Sequence, residues 1–356
     1  MKKYSIFLAI AALVSAASCN KVEIDVPVEP IVETELITVE LNPMTKTSLD
    51  GSSTVWTAGD AVSVTVNGEK IGTLTLREGS TFTGEVKAGF DGAATLNYPA
   101  DVTSVPTSQK AVAGSFANGA ALLQGTTTMA ALRAGQGAEL VNTTALLKFT
   151  VAKEGDVTFE VGTSKVTVTG CKTGSTYYAC VAPAVNVSFT ARIDGYLSKQ
   201  ASKNVTFAAN QVSNLKELPA PEKFDWGLVG QHQGWDIANT TPMYKVADKT
   251  YAVFNVTLKD NGFKFAKTGL KDWNTTNTYF GAWKKSSGKG YFNFSTEMGT
   301  GSWYGVYTNN LGGQSENIGV SDFTKKYDVY VKIITDADWG QELGYTVVTA
   351  GTAVTF

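Results

Sequence analysis

From Leu36 to about Leu218 the chain is a series of short runs in which apolar and polar residues alternate: ITVEL, AVSVTV, TLTL, ATLNY, ALLKFTV, VTFEV, KVTVT, TYYACV, NVSFTARI and VTFAA. Alternation with a period of two is the signature of a strand with one buried face. Turn signals separate the runs at intervals of about 8 to 15 residues: Leu-Asp-Gly-Ser from Leu49, Val-Asn-Gly-Glu from Val66, Phe-Asp-Gly-Ala from Phe90 and Lys-Thr-Gly-Ser from Lys172. Only Thr127 to Ala134 reads as a short helix. After Pro221 the alternation resumes in YAVFNVTL, GFKFA, YFNF, YDVYVKII and YTVVT. Between the two series lies LPAPEKFD, whose prolines stiffen the chain and hinder pairing across the junction. The pattern predicts an all-β protein with two β-sandwich domains in tandem, 36–218 and 224–356, joined by a linker at 219–223. No internal repeat is evident.

Composition supports a packed protein: of 356 residues, 43% are apolar and 17% charged, and there are 35 glycines. The formal net charge of −2 conceals no basic half, because the thirteen lysines after Pro221 are matched by thirteen acidic residues. Nucleic-acid binding therefore has no electrostatic footing.

The N-terminus reads as an export signal over 1–18, with Lys2 and Lys3, the apolar run Ile6 to Val14 and the small residues Ser15 to Ser18. Cys19 follows at once, and Ala-Ala-Ser-Cys resembles a bacterial lipobox, with Ala16 where Leu is usual. That resemblance implies lipid attachment at Cys19. Residues 19–35 read as an acidic, flexible tether, and their acids resemble the signal that sends Bacteroidetes lipoproteins to the outer face of the outer membrane. The expected location is thus the outer membrane, lipid-anchored and facing the cell exterior. In an exported protein Cys171 and Cys180 invite a disulfide. However, the turn directly after Cys171 would place its cross-strand partner near Thr176 to Tyr178, so two free thiols are expected.

A search for covalent chemistry finds little. The one histidine, His232, lies in a Gln-His-Gln loop and reads as an exposed loop residue; no nucleophile motif accompanies it. Histidine and cysteine run out before four zinc ligands are found. The carboxylates that could form a glycosidase pair sit mostly in turns beside Gly or Asn. Phosphate loops and dinucleotide fingerprints are absent. The expectation is a protein with no enzymatic activity, no metal and no cofactor.

Tryptophan points to binding instead. Six of the seven tryptophans, Trp226, Trp235, Trp273, Trp283, Trp303 and Trp339, follow Pro221. An indole presents a flat apolar face with one polar edge, which suits a sugar ring. Trp226 and Trp339 read as core, and Trp56, the single tryptophan of the first domain, as core or a turn anchor.

Two resemblances extend this picture. Lys46 to Asp60, KTSLDGSSTVWTAGD, followed by AVSVTVNG, TFTGEV, NYPAD and NTTALLKFTV, resembles the fimbrillin-like N-terminal domains of Bacteroidetes surface lipoproteins. Such domains polymerise by strand exchange or act as spacers. Gly227 to Gly230, Gly234 to Asp236, Pro242 and Met243, Phe263 to Phe265 and Trp273 together resemble the C-terminal carbohydrate-binding modules of the surface starch-binding lipoproteins (SusE/SusF-like), although the stretch between Trp283 and Asn317 is longer here. Both resemblances imply Ig/transthyretin-like sandwiches. The second implies aromatic platforms at Trp235 and at Trp273 or Trp283, with Lys264, Lys267 and Asn277 reaching sugar hydroxyls. The expected function is that of a non-catalytic, cell-surface glycan-binding lipoprotein serving polysaccharide utilisation. Its partners would be an oligosaccharide or polysaccharide, favourably an α-glucan, the outer membrane through the lipid anchor, and a glycan-uptake complex or fimbrial subunits. A fimbrial accessory or tip adhesin is the alternative.

Overall fold

The computed structural model describes residues 33–43, 56–259, 262–271, 279–281, 304–308, 318–320, 322–337 and 340–354. Its strands gather round three hydrophobic cores that follow one another along the chain.

The first core is covered by β1 (Thr34–Glu40), β2 (Asn42–Pro43), β3 (Ala61–Val66), β4 (Glu69–Glu78), β5 (Thr81–Lys87), β6 (Ala93–Tyr98), β8 (Leu123–Thr128) and β9 (Glu139–Asn142), with β7 (Ser108–Lys110) passing to the next sheet. The eight strands are ordered β1-β5-β4-β3-β6-β8-β9-β2. Val62, Val64 and Val66 point inward at every second position while Ser63 and Thr65 point outward, as the alternation requires. Val-Asn-Gly-Glu forms a tight hairpin between β3 and β4, with positive φ at Asn67 (51°) and Gly68 (83°). By contrast Phe-Asp-Gly-Ala joins β5 to β6, which are not neighbours in the sheet. The expected short helix is α1 (Met129–Arg133), capped by the Thr128 hydroxyl accepting from the Ala131 N–H. Trp56 closes this core: its Nε1 donates to the Leu41 carbonyl at 2.8 Å, and its ring meets Phe82 and Tyr98 edge-on.

The second core lies between β10 (Ala145–Val151), β11 (Gly155–Val161), β12 (Ser164–Cys171), β13 (Tyr177–Val181), β14 (Ala184–Val187), β15 (Phe189–Ile193), β16 (Tyr196–Gln200), β17 (Val205–Phe207) and β18 (Val212–Leu218). A five-stranded sheet, β16-β15-β11-β12-β7, faces a three-stranded one, β13-β10-β18. Lys-Thr-Gly-Ser carries the chain from one sheet to the other, so it is a crossover and not the hairpin expected from sequence. Cys171 therefore pairs across the ladder with Gly155 and Cys180 with Leu146. Both cysteines are buried free thiols, as expected, although the separation comes from their lying on different sheets.

The third core is enclosed by β19 (Lys223–Gly230), β20 (Thr241–Ala247), β21 (Thr250–Val256), β22 (Phe263–Lys267), β23 (Tyr279–Gly281), β24 (Tyr304–Thr308), β25 (Tyr327–Ala337) and β26 (Gly340–Thr349). The all-β reading holds here too, with a feature the alternation did not indicate: the strands are hydrogen-bonded round in a closed ring, β19-β20-β21-β25-β26-β24-β23-β22, so the two sheets are joined at both edges. Among the described strands of this ring, each has a partner on both sides. Phe263 and Phe265 are fully buried inside, and Trp226, at 8% exposed, belongs to the same core, as read from sequence. Phe224 stacks on Tyr251 with ring centroids 4.1 Å apart.

Candidate functional site

The segment Gln231 to Thr240 leaves the barrel at the end of β19 and folds back over its outside. The turn is tight. Gly230 comes so close to Gly262 that a Cβ would strike the Gly262 carbonyl, and one at Gly227 would lie 2.6 Å from the Thr241 carbonyl. Glycine at both ends of Gly-Leu-Val-Gly lets three backbones meet here. After a 3-10 turn at Gln231–Gln233 the chain enters the left-handed region twice in succession, at Gly234 (φ 77°) and Trp235 (φ 60°). Glycine accepts that conformation freely. For a bulky residue such as tryptophan it is strained, by about 1–3 kcal/mol.

The loop's own hydrogen bonds hold the strained turn. The Trp235 N–H donates to the Gly230 carbonyl at 2.9 Å, and the indole Nε1 donates to Gln231 Oε1 at 3.0 Å. Gln233 clasps the backbone of Asp236 just past the turn, donating to its carbonyl and accepting from its N–H. Asp236 caps the next short turn, Ile237–Asn239, accepting from the Ala238 N–H and from Asn239 Nδ2; that contact with Asn239 pulls its carboxyl below the usual range. His232 is half-buried, with Nε2 2.9 Å from Thr241 Oγ1, and so is not the simply exposed residue expected. Burial, followed by the charge of Lys259, holds its imidazole below the ordinary histidine value.

Strand alternation sorts the predicted site residues. On β19 and β22 the facing pairs are Leu228 with Phe265, inside the barrel, and Gly227 with Ala266 and Val229 with Lys264, outside. The half-buried Trp235 packs with Leu270 on the outer cluster of Val229, Ile237 and Ala266. Trp235 and the half-buried Lys264 therefore share the outer face. Lys267 faces Trp226 across the ladder, on the inward-pointing series, and is exposed at the strand's end. Trp273, Trp283 and Asn277, the other expected contacts, lie outside the described residues, as does Cys19. Sequence reading missed Gln231, which orients the indole, and the seat formed by Val229, Ile237 and Ala266. The outward positions of Phe-Lys-Phe-Ala, taken with those of Gly-Leu-Val-Gly, carried the signal for that seat.

Among the described residues no group of three or more His, Cys, Asp and Glu side chains is gathered to hold a metal ion. Among them, too, no helix is long and apolar enough to cross a membrane.

No protein-family model matches the chain, and no curated protein matches its sequence. Among solved structures it is similar to a candidate cell adhesion protein from Bacteroides ovatus, at 12% identity and a TM-score of 0.34, covering 52% of this chain and 92% of that one. It is similar also to a fimbrial protein from Bacteroides ovatus (10% identity, TM-score 0.32, 63% of this chain and 67% of that one). A third is a candidate cell adhesion protein from Bacteroides uniformis (14% identity, TM-score 0.29, 51% of this chain and 92% of that one).

Proposed function

We propose that this chain is a surface-displayed adhesin that works by contact and without covalent chemistry, its C-terminal barrel holding a carbohydrate chain against Trp235. The observation that carries the reading is Trp235 itself, a half-buried indole kept in left-handed backbone by hydrogen bonds from its own N–H and Nε1 and by Gln233 holding the next residue. Strain of this kind persists where the surroundings over-determine it, and it concentrates at binding sites. Lys264, on the same outer face, supplies a charged donor for ring hydroxyls. Trp273 or Trp283 would add a second aromatic platform, with Lys267 and Asn277 at the margin.

Magnitudes suit a weak binder that works in number. Covering about half of an indole, ~100 Å², at ~25 cal/mol per Å² contributes ~2.5 kcal/mol. Two platforms give ~5 kcal/mol, a dissociation constant of about 0.2 mM before ordering costs. Many copies on one surface hold a polymer through effective concentration. Lipid attachment at Cys19 would provide that surface, the outer membrane facing the exterior, with α-glucan as the polymer the starch-binding resemblance favours. The fimbrial reading rests on the fimbrillin-like motifs and on the first strand, whose two halves, β1 and β2, pair at opposite edges of one sheet.

The test is retardation of the full chain in native gels containing amylopectin, laminarin or xyloglucan. Trp235→Ala should lower retardation at least about fivefold, the loss of roughly 1 kcal/mol or more of platform energy, while the far-ultraviolet dichroism stays that of the parent. Mobility unchanged by the substitution in every gel that retards the parent removes Trp235 from the site.

A further inference from the structure

A separate group of polar side chains lies on the first sheet, far along the chain from Trp235. Ser63 faces Asn97 across the ladder and Asn97 faces Gln124, so a hydroxyl and two amides stand in a row over three strands on the outward series. The segment after β6 folds back across this row, the Ala100 N–H donating to the Ala61 carbonyl at 2.9 Å. Ser63 is consequently only 4% exposed although it points away from the core. Beside the covering segment lies a cavity of about 330 Å³, walled by Ser63, Lys70, Asn97, Gln124 and Thr143. Ala100 and Val102 also border a second cavity of about 270 Å³, whose wall includes Asp60, Tyr98 and Asp101.

The chemistry of the walls selects the ligand. Lys70 in the larger cavity and Asp101 in the smaller are ion-paired at 2.5 Å, which leaves no cation free, and Asp60 is the one carboxylate in the walls without an ion-pair partner among the described residues. The Asp60 carboxylate is committed to the Thr57 N–H at 2.7 Å and the Tyr98 hydroxyl at 3.0 Å. Gln124 Nε2 donates to Asn97 Oδ1 at 3.0 Å, which directs the Asn97 amide N–H groups and the Gln124 oxygen to other partners. Beside apolar surface from Pro99, Val102, Leu122 and Leu123, the walls offer neutral donors and acceptors, and the larger cavity reaches the lower end of the range of small-molecule sites. An anion finds no uncompensated cation, and an apolar ligand would leave these groups unpaired.

We propose that these adjoining cavities bind a neutral carbohydrate of at least two residues, laid across Ala100 to Val102, with Asn97 and Gln124 as its principal contacts. The site does not depend on the Trp235 platform, and the Trp235→Ala chain separates the two. Saturation-transfer NMR on that full-length variant would use maltose, cellobiose and lactose as neutral probes and glucuronate as an anionic one. At least one disaccharide should show saturable transfer. Asn97→Ala should weaken it about fivefold, one hydrogen bond's worth. Gln124→Trp, at an exposed position where a large ring fills the cavity without disturbing the core, should abolish it. Absence of transfer from all three disaccharides, transfer from glucuronate alone, or full binding by Gln124→Trp would each overturn the proposal.

Discussion

The loop around Trp235 contains the one histidine in the chain, which makes its response to pH separable from everything else. His232 Nδ1 is buried and has no hydrogen-bond partner among the described residues, and burial with the Lys259 charge lowers its affinity for a proton. The folded state thus resists protonation, while the unfolded chain takes up a proton near pH ~6.5. Stability from this group is complete above that value and is lost as pH falls below it toward the depressed folded value. The thermal midpoint of the full chain should fall between pH 7.5 and 5.5, as about pH ~6.5 is crossed, and His232→Gln should flatten that decline. An equal decline in both proteins would assign it elsewhere. At this scale the sequence was partly legible. Gly-Trp-Asp drew attention to Trp235 through its residue types, and Asp236, one of the carboxylates set aside as a glycosidase pair, serves as a cap. The left-handed backbone at Trp235 could not be read, because φ is set by the bonds that Gly230 and Gln231 make to it.

Among the elements, β1 has the most unusual position. It pairs along its whole length with β5 at one edge of the first sheet, and the chain then continues into β2, which pairs with β9 at the other edge. Arg133 of α1 clamps it, with Nε and Nη2 donating to the Glu35 carboxylate at 2.7 and 2.8 Å and Nη1 donating to Asp91 at 2.6 Å. These groups remain partly exposed to solvent, which screens the pairing, so the clamp fixes geometry more than it stabilises. Ile37, Val39 and Leu41 are buried on the inner series, which makes this strand an integral part of the first core. If the protein assembles as a fimbrial subunit, such a strand is the element exchanged between copies. Purified protein heated mildly in dodecyl sulfate should then run as a ladder that collapses to one band on boiling. A single band at every temperature would leave the first core as a spacer. The runs of alternation marked more than half of the described strands and passed over others, among them β8, β9, β16 and β18; nor did they show which strands pair, since Val-Asn-Gly-Glu made a hairpin, whereas Lys-Thr-Gly-Ser made a crossover. A turn signal reports the local reversal of the chain, and pairing depends on where the buried faces meet.

Across the whole molecule, the second and third cores are joined by side chains from β15, β16 and the strands of the barrel. Tyr196 stacks on Phe254 at 4.8 Å and meets Tyr244 at 5.0 Å, and Arg192 Nη1 donates to the Val246 carbonyl at 2.7 Å while its Nε holds Glu160 at 3.1 Å. Lys153 Nζ lies 5.9 and 5.5 Å from the Tyr196 and Tyr244 rings. A seam with stacking of about 0.5–1.5 kcal/mol beyond its area, and a guanidinium serving two partners, should make these cores melt together. Scanning calorimetry of the double variant Arg192→Ala, Tyr196→Ala should resolve two transitions where the parent shows one. A single unchanged endotherm would mean that the seam carries no coupling.

The sequence alone determined the all-β class, the inward and outward faces of alternating strands such as β1 and β3, the short helix at Met129–Arg133 and the burial of Trp226, since each follows from local periodicity and residue type. Only the tertiary structure decided that the last eight strands close into a ring, that Cys171 and Cys180 lie on different sheets, that Lys264 and Lys267 point to opposite faces of their strand, and that a loop over Ser63 borders two cavities. The physical reason is the range of the forces involved. Alternation is written within a few residues, whereas ring closure, sheet exchange and cavity walls bring together backbones and side chains distant in sequence, whose meeting is chosen by the packing of the whole core.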